Sequence, residues 1–94
     1  MKKTVLILGA SGGIGSAIAQ KLAPESTLIL QGNRHRKELQ ETVSELRMNG
    51  HDAHALFADL TDPDEIARFV EDVRSGFATV DTIVAAQARG RGIW

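Results

Sequence analysis

The segment Val5-Leu6-Ile7-Leu8-Gly9-Ala10-Ser11-Gly12-Gly13-Ile14-Gly15 constrains the fold more than any other part of this chain. Its apolar run suits a strand covered on both faces, the form strands take inside parallel sheets. Glycines follow at once, where the backbone must turn sharply, and the apolar residues beyond them recur at helical spacing. By itself this is a tight strand-to-helix turn. Inside a βαβ unit, the helix's first unpaired N–H groups and the positive end of its dipole also cradle an anion, such as the pyrophosphate of a dinucleotide.

The rest of the chain supplies that unit. Four apolar, β-branched runs, Thr4–Leu8, Thr27–Gln31, Ala53–Ala58 and Thr82–Ala86, alternate with three helical patterns. The first pattern carries Ile14, Ala17, Ile18 and Leu22 and closes at Pro24; the second carries Leu39, Val43 and Leu46 and ends at Gly50. In the third, Asp62 is the expected cap, Pro63 fits the first helical position and Glu65 stands at capping-box spacing. Its expected buried stripe is Ile66, Phe69, Val70, Val73 and Phe77. Right-handed crossovers then predict an α/β fold, a Rossmann-like doubly wound parallel sheet in the order 3-2-1-4. The first two helices fall on one face and the third on the other. Residues 1–88 form this partial domain, and 89–94, with Arg89-Gly90-Arg91-Gly92, read as an irregular tail.

Composition narrows the function. An apolar share of 43% with 24% charged residues is that of a soluble globular chain. A formal net charge of -1 with no basic stripe argues against nucleic acid or a membrane surface as partner. The absence of cysteine removes disulfide, thiol and thiolate-metal chemistry. The apolar run after Lys2-Lys3 is too short for a signal peptide or membrane span, so the expected location is cytoplasmic. His51 and His54 lack a third ligand at suitable spacing and read as surface histidines, so no metal site is expected.

The glycines fit Gly-x-x-x-Gly-x-Gly through Gly9, Gly13 and Gly15, and Gly-x-x-Gly-x-x-Gly through Gly9, Gly12 and Gly15. They do not fit Gly-x-Gly-x-x-Gly, and the Gly-Lys-Ser/Thr ending of a phosphate loop is absent. The turn resembles that of the short-chain dehydrogenase/reductase family, Thr-Gly-x-x-x-Gly-x-Gly, with Leu8 replacing the threonine. The likeness extends through Asp59-Leu60 to about Val84. It implies cofactor contacts at Gly9, Ser11, Gly12, Gly13, Ile14 and Gly15. It further implies a carboxylate, Asp59, that accepts from the adenine amino group, with Leu60 backing the ring.

The residues after the second strand discriminate between cofactors. A carboxylate there holds free ribose hydroxyls, whereas an arginine suits a 2′-phosphate. The segment reads Gln31-Gly32-Asn33-Arg34-His35-Arg36-Lys37, with no carboxylate before Glu38. Asn33 and Arg34 are therefore the expected phosphate partners, and NADP(H) is favoured over NAD(H). Basic residues at a helix start oppose its dipole, so local helix stabilisation explains them poorly. Against this, Gly12 stands where NADP-binding relatives often carry a basic residue.

The resemblance fails after Val84, where Ala85-Ala86-Gln87-Ala88 replaces the family's Asn-Asn-Ala-Gly. The family's reaction, hydride transfer between nicotinamide and a carbonyl or alcohol, needs a tyrosine, a lysine four residues later and a serine. This chain has no tyrosine, its lysines are Lys2, Lys3, Lys21 and Lys37, and its last serine is Ser75. No catalytic residue is assigned. The expected reading is the NADP(H)-binding portion of such an oxidoreductase, truncated and inactive alone. The alternative is a non-catalytic dinucleotide-binding or assembly module. In either case the fourth strand, an apolar edge, invites pairing with another copy or with a missing carboxyl-terminal half.

Overall fold

The computed structural model describes residues 3–10, 13–77 and 79–86. The strands are β1 (Lys3–Leu8), β2 (Ser26–Gly32), β3 (Asp52–Phe57) and β4 (Thr82–Ala85). Between them lie α1 (Gly13–Leu22), α2 (Arg36–Met48) and α3 (Pro63–Gly76), with a single 3-10 turn at Ala23–Glu25 holding Pro24 after α1. The four strands form one parallel sheet ordered β3-β2-β1-β4, the predicted topology. Val5 pairs with Leu28 on one side and Thr82 on the other, and Leu28 pairs with Ala53.

Alternation along the central strands feeds two cores. Val5, Ile7, Leu28 and Leu30 point to one face and pack with Ala19 of α1 and Leu39, Val43 and Leu46 of α2. Leu6 and Ile29 point to the other and pack with Phe69 and Val73 of α3. Each such aliphatic side chain taken from water stabilises the fold by about 1.5–3 kcal/mol before conformational entropy is counted.

Two predicted stripes need correction. In α1, Ile14 and Ala17 are exposed, and the inward face is Gly15, Ile18, Ala19 and Leu22. The small residues Gly15 and Ala19 face inward, Gly15 against Ala10, and Ile14 faces outward at 58% exposure. In α3, Phe69 and Val73 are buried and Phe77 packs beside them, whereas Ile66 and Val70 are 39% and 53% exposed. The sheet covers only part of that stripe.

Candidate nucleotide site

In a parallel sheet every strand-to-helix loop emerges at the carboxyl edge, so the three loops after β1, β2 and β3 meet there. Gly9 adopts φ 71°, a left-handed conformation that strains any other common residue. Gly15 is pressed against the turn: a Cβ at this position would lie 2.5 Å from the Ala10 Cα. Gly13, the first residue of α1, differs from it. Among the described residues, a Cβ there would meet no atom within 4 Å, so open space lies at the start of the helix on their side. Ser11 and Gly12 lie outside the described residues.

The first two turn amides are already engaged. Gly9 N–H donates to Gln31 Oε1 and Ala10 N–H to the Gln31 carbonyl, both at 2.8 Å. Gly9 therefore serves the turn by its conformation, and donors for an anion must come from further along. Gln31 is 2% exposed, and its Nε2 donates to the Ala58 carbonyl at 2.8 Å. Sequence reasoning passed over it as the end of a strand. The available signal was an amide closing an apolar run, since a buried polar side chain must find partners.

Asn33 and Arg34 are exposed after β2. His35 follows at φ 54° as the N-terminal cap residue of α2, with no side-chain cap, and its Nδ1 lies 3.6 Å from Glu38. Arg36 does more than solvate the helix start: its guanidinium sits 4.7 Å from the centre of the Phe57 ring.

Asp59 makes a tight local turn. Its Oδ1 accepts from Thr61 Oγ1 at 2.6 Å and from Thr61 N–H at 2.9 Å. These hydrogen bonds, assisted by the positive charge of Arg34, hold the carboxyl below its ordinary value of 3.8. Arg34 and Asp59 are thus electrostatic neighbours, although they come from different loops. Asp62 caps α3 by accepting from Asp64 N–H at 2.9 Å, but the predicted capping box does not close. Asp62 N–H is engaged by the Asp59 carbonyl, and Glu65 reaches back to Asp59 N–H at 2.8 Å. Leu60 is half-buried against the Leu6–Phe69 core.

Elsewhere, His54 Nε2 lies 2.7 Å from Asp52, and its ring meets Phe77 edge to face at 5.1 Å. Among the described residues no cluster of His, Cys, Asp or Glu is arranged to hold a metal. No described helix is long and apolar enough to cross a membrane. An apolar cavity of about 280 Å³, lined by Leu6, Phe69, Val73, Phe77, Val80 and Ile83 among others, lies under β4 and contains none of the site residues.

Comparison with known proteins agrees with this geometry. Residues 3–91 match the family model for short chain dehydrogenase. The chain is 36% identical over 85 residues to the 3-oxoacyl-(acyl-carrier-protein) reductase FabG of Staphylococcus aureus, covering 89% of this chain and 35% of the relative. It is 35% identical over 91 residues to a putative granaticin polyketide synthase ketoacyl reductase of Streptomyces violaceoruber, covering 97% and 34%. An actinorhodin polyketide ketoreductase crystallised with NADPH superposes with a TM-score of 0.83 at 28% identity, covering 94% of this chain and 34% of that one. A metagenomic short-chain oxidoreductase in complex with NADP gives 0.79 at 30% identity, covering 86% and 37%. The chain spans about a third of the length of these relatives. The glycine turn, the parallel order of the sheet and the match over residues 3–91 agree: the chain belongs to the short-chain dehydrogenase family.

Proposed function

We propose that this chain is the NADP(H)-binding portion of an oxidoreductase that moves a hydride between nicotinamide and a carbonyl or alcohol. The carrying observation is the open space at Gly13, at the start of α1 and beside the left-handed turn at Gly9. A diphosphate fits there against N–H groups of the opening helical turn, including those near Gly13, Ile14 and Gly15, with Ser11 and Gly12 completing the loop. Asn33 and Arg34 hold the 2′-phosphate, while Asp59 and Leu60 receive the adenine. The loops after β2 and β3, which carry Arg34 and Asp59, emerge from neighbouring parallel strands at one edge of the sheet. This suits the division, because ribose phosphate and adenine are neighbours in the cofactor. The relatives crystallised with NADPH and NADP support the same cofactor. When bound, the nicotinamide would supply hydride. This chain's residues bind and orient it and offer no tyrosine as proton donor, so the chain alone is read as binding with little or no turnover. It is placed in the cytoplasm, away from membranes and nucleic acid.

A titration with NADPH followed by fluorescence tests this reading. Arg34→Asp replaces a charge-assisted contact by repulsion, so NADPH binding should weaken by about tenfold or more while NADH changes little. Equal loss for both cofactors would refute the phosphate role of Arg34. A second reading, a non-catalytic module assembling through β4, is favoured by Ile83, which is 62% exposed on the edge strand. A discrete oligomer in size-exclusion chromatography, without nucleotide, would support it.

A further inference from the structure

We propose that Gln31 is the positioning residue that joins the two loops of the nucleotide site, fixing the phosphate turn relative to the adenine side. This rests on the NADP(H) reading above. Four contacts carry it. The Gln31 side chain accepts from Gly9 N–H and donates to the Ala58 carbonyl, each at 2.8 Å. Its own carbonyl accepts from Ala10 N–H at 2.8 Å, and the neighbouring Gly32 carbonyl accepts from Ala58 N–H at 2.9 Å. One buried carboxamide near the end of β2 therefore extends hydrogen bonding past the ends of β1 and β3, into both loops that would flank the cofactor.

The chemistry of the amide makes the arrangement directional. An oxygen must face the Gly9 N–H and an NH₂ must face the Ala58 carbonyl; the flipped amide would set donor against donor and acceptor against acceptor. With Gln31 in place, the Gly9 and Ala10 amides are satisfied inside the protein. The turn is thereby held in the shape that leaves the helix start open. Without it, two backbone groups lose their partners, and the turn must be reordered each time a ligand binds.

Calorimetric titration of the chain with NADP⁺ tests the proposal. Gln31→Met keeps the length and removes both polar contacts, so the dissociation constant should rise by about tenfold or more. Val43→Ala, in the core of α2 away from the loops, should lower thermal stability yet leave that constant within about twofold, since uncoupled sites act independently. Gln31→Glu supplies a chemical rescue. A protonated carboxyl offers the same acceptor and donor, whereas the ionised form loses the donor and confronts the Ala58 carbonyl. Burial favours the neutral form, so affinity should approach the parent near pH 5 and fall as pH rises. The parent, which shares Arg34, Asp59 and Glu65 at this edge, should lack that additional fall. A Gln31→Met constant equal to the parent's, a Val43→Ala loss as large as that of Gln31→Met, or no pH-dependent rescue would overturn the role. Amide exchange keeps the test separate from the cofactor reading. Gly9 should be protected in the parent and lose protection in Gln31→Met, while Ala10, held by the backbone carbonyl of residue 31, and Leu28 to Leu30 keep theirs. If the parent binds no NADP⁺, the cofactor reading fails; unchanged Gly9 exchange in the variant would sink the Gln31 proposal.

Discussion

The two faces of the sheet are built from similar residues and end in different states. On the α1–α2 face Ile7, Leu28, Leu30, Leu39 and Ala53 are fully buried. On the α3 face Ile29 is also fully buried, but Leu6, Phe69 and Val73 retain a little exposure, and Val70 and Ile83 are more than half exposed. The difference is one of coverage. Two helices span β1, β2 and β3 on the first face, whereas a single helix serves the second and leaves β4 bare above an apolar cavity. The closed face therefore carries more of the stability, and the open face leaves apolar side chains exposed among the described residues. The candidate nucleotide site lies on the rim between them.

The largest expected effect tests the closed face directly. Leu30→Ala leaves a cavity that its neighbours cannot fill and should destabilise by about 2–5 kcal/mol in urea denaturation. On the open face, Ile83→Thr should change stability by no more than about 0.5 kcal/mol, because the side chain is already in water. Comparable losses at the two positions would abolish the contrast.

The glycines sharpen it at the rim. Gly15→Ala drives a methyl group into Ala10, so stability should fall by about 1–3 kcal/mol as α1 is pushed from the sheet. Gly13→Ala meets no atom of the described residues and should leave stability unchanged or raise it by up to about 1 kcal/mol. Its methyl group would nevertheless occupy the proposed phosphate space, and NADPH binding should weaken. Affinity retained in Gly13→Ala would remove the pyrophosphate from that position.

Asp59 gives the smallest effect, read from the acid limb of the stability profile. Its folded pKa lies below the ordinary 3.8, so its stabilising contribution is complete above that value and disappears as pH falls through the lower folded one. Thermal unfolding followed from pH 5 downward should show a shallower acid loss for Asp59→Asn than for the parent. Parallel curves would mean that the Thr61 turn contributes nothing measurable.

Much of this architecture was legible in the residues. The order of elements, the sheet topology and the inward positions of α2 follow from periodicity, because Leu39, Val43 and Leu46 have one face to bury and one sheet to bury it on. The cap at Asp62 was legible for a similar local reason. Less was legible where a residue's fate depends on partners distant in sequence. Ile14 and Val70 lie on apolar stripes, yet each is more than half exposed, because periodicity does not say which part of a stripe meets a neighbour. Glu65 stood at capping spacing but found a different amide, since a turn carbonyl had already taken the Asp62 N–H.

What the sequence determined by itself is therefore local and periodic: strand, glycine turn, helix, their repetition, and basic residues directly after the second strand. Tertiary structure alone decided which amides of the turn are spent and which apolar side chains meet a neighbour. Gln31 shows why. A glutamine at a strand end has no spacing that announces its role; only bringing Gly9 and Ala58 to either side of it, from 22 and 27 residues away, gives its two polar ends their partners.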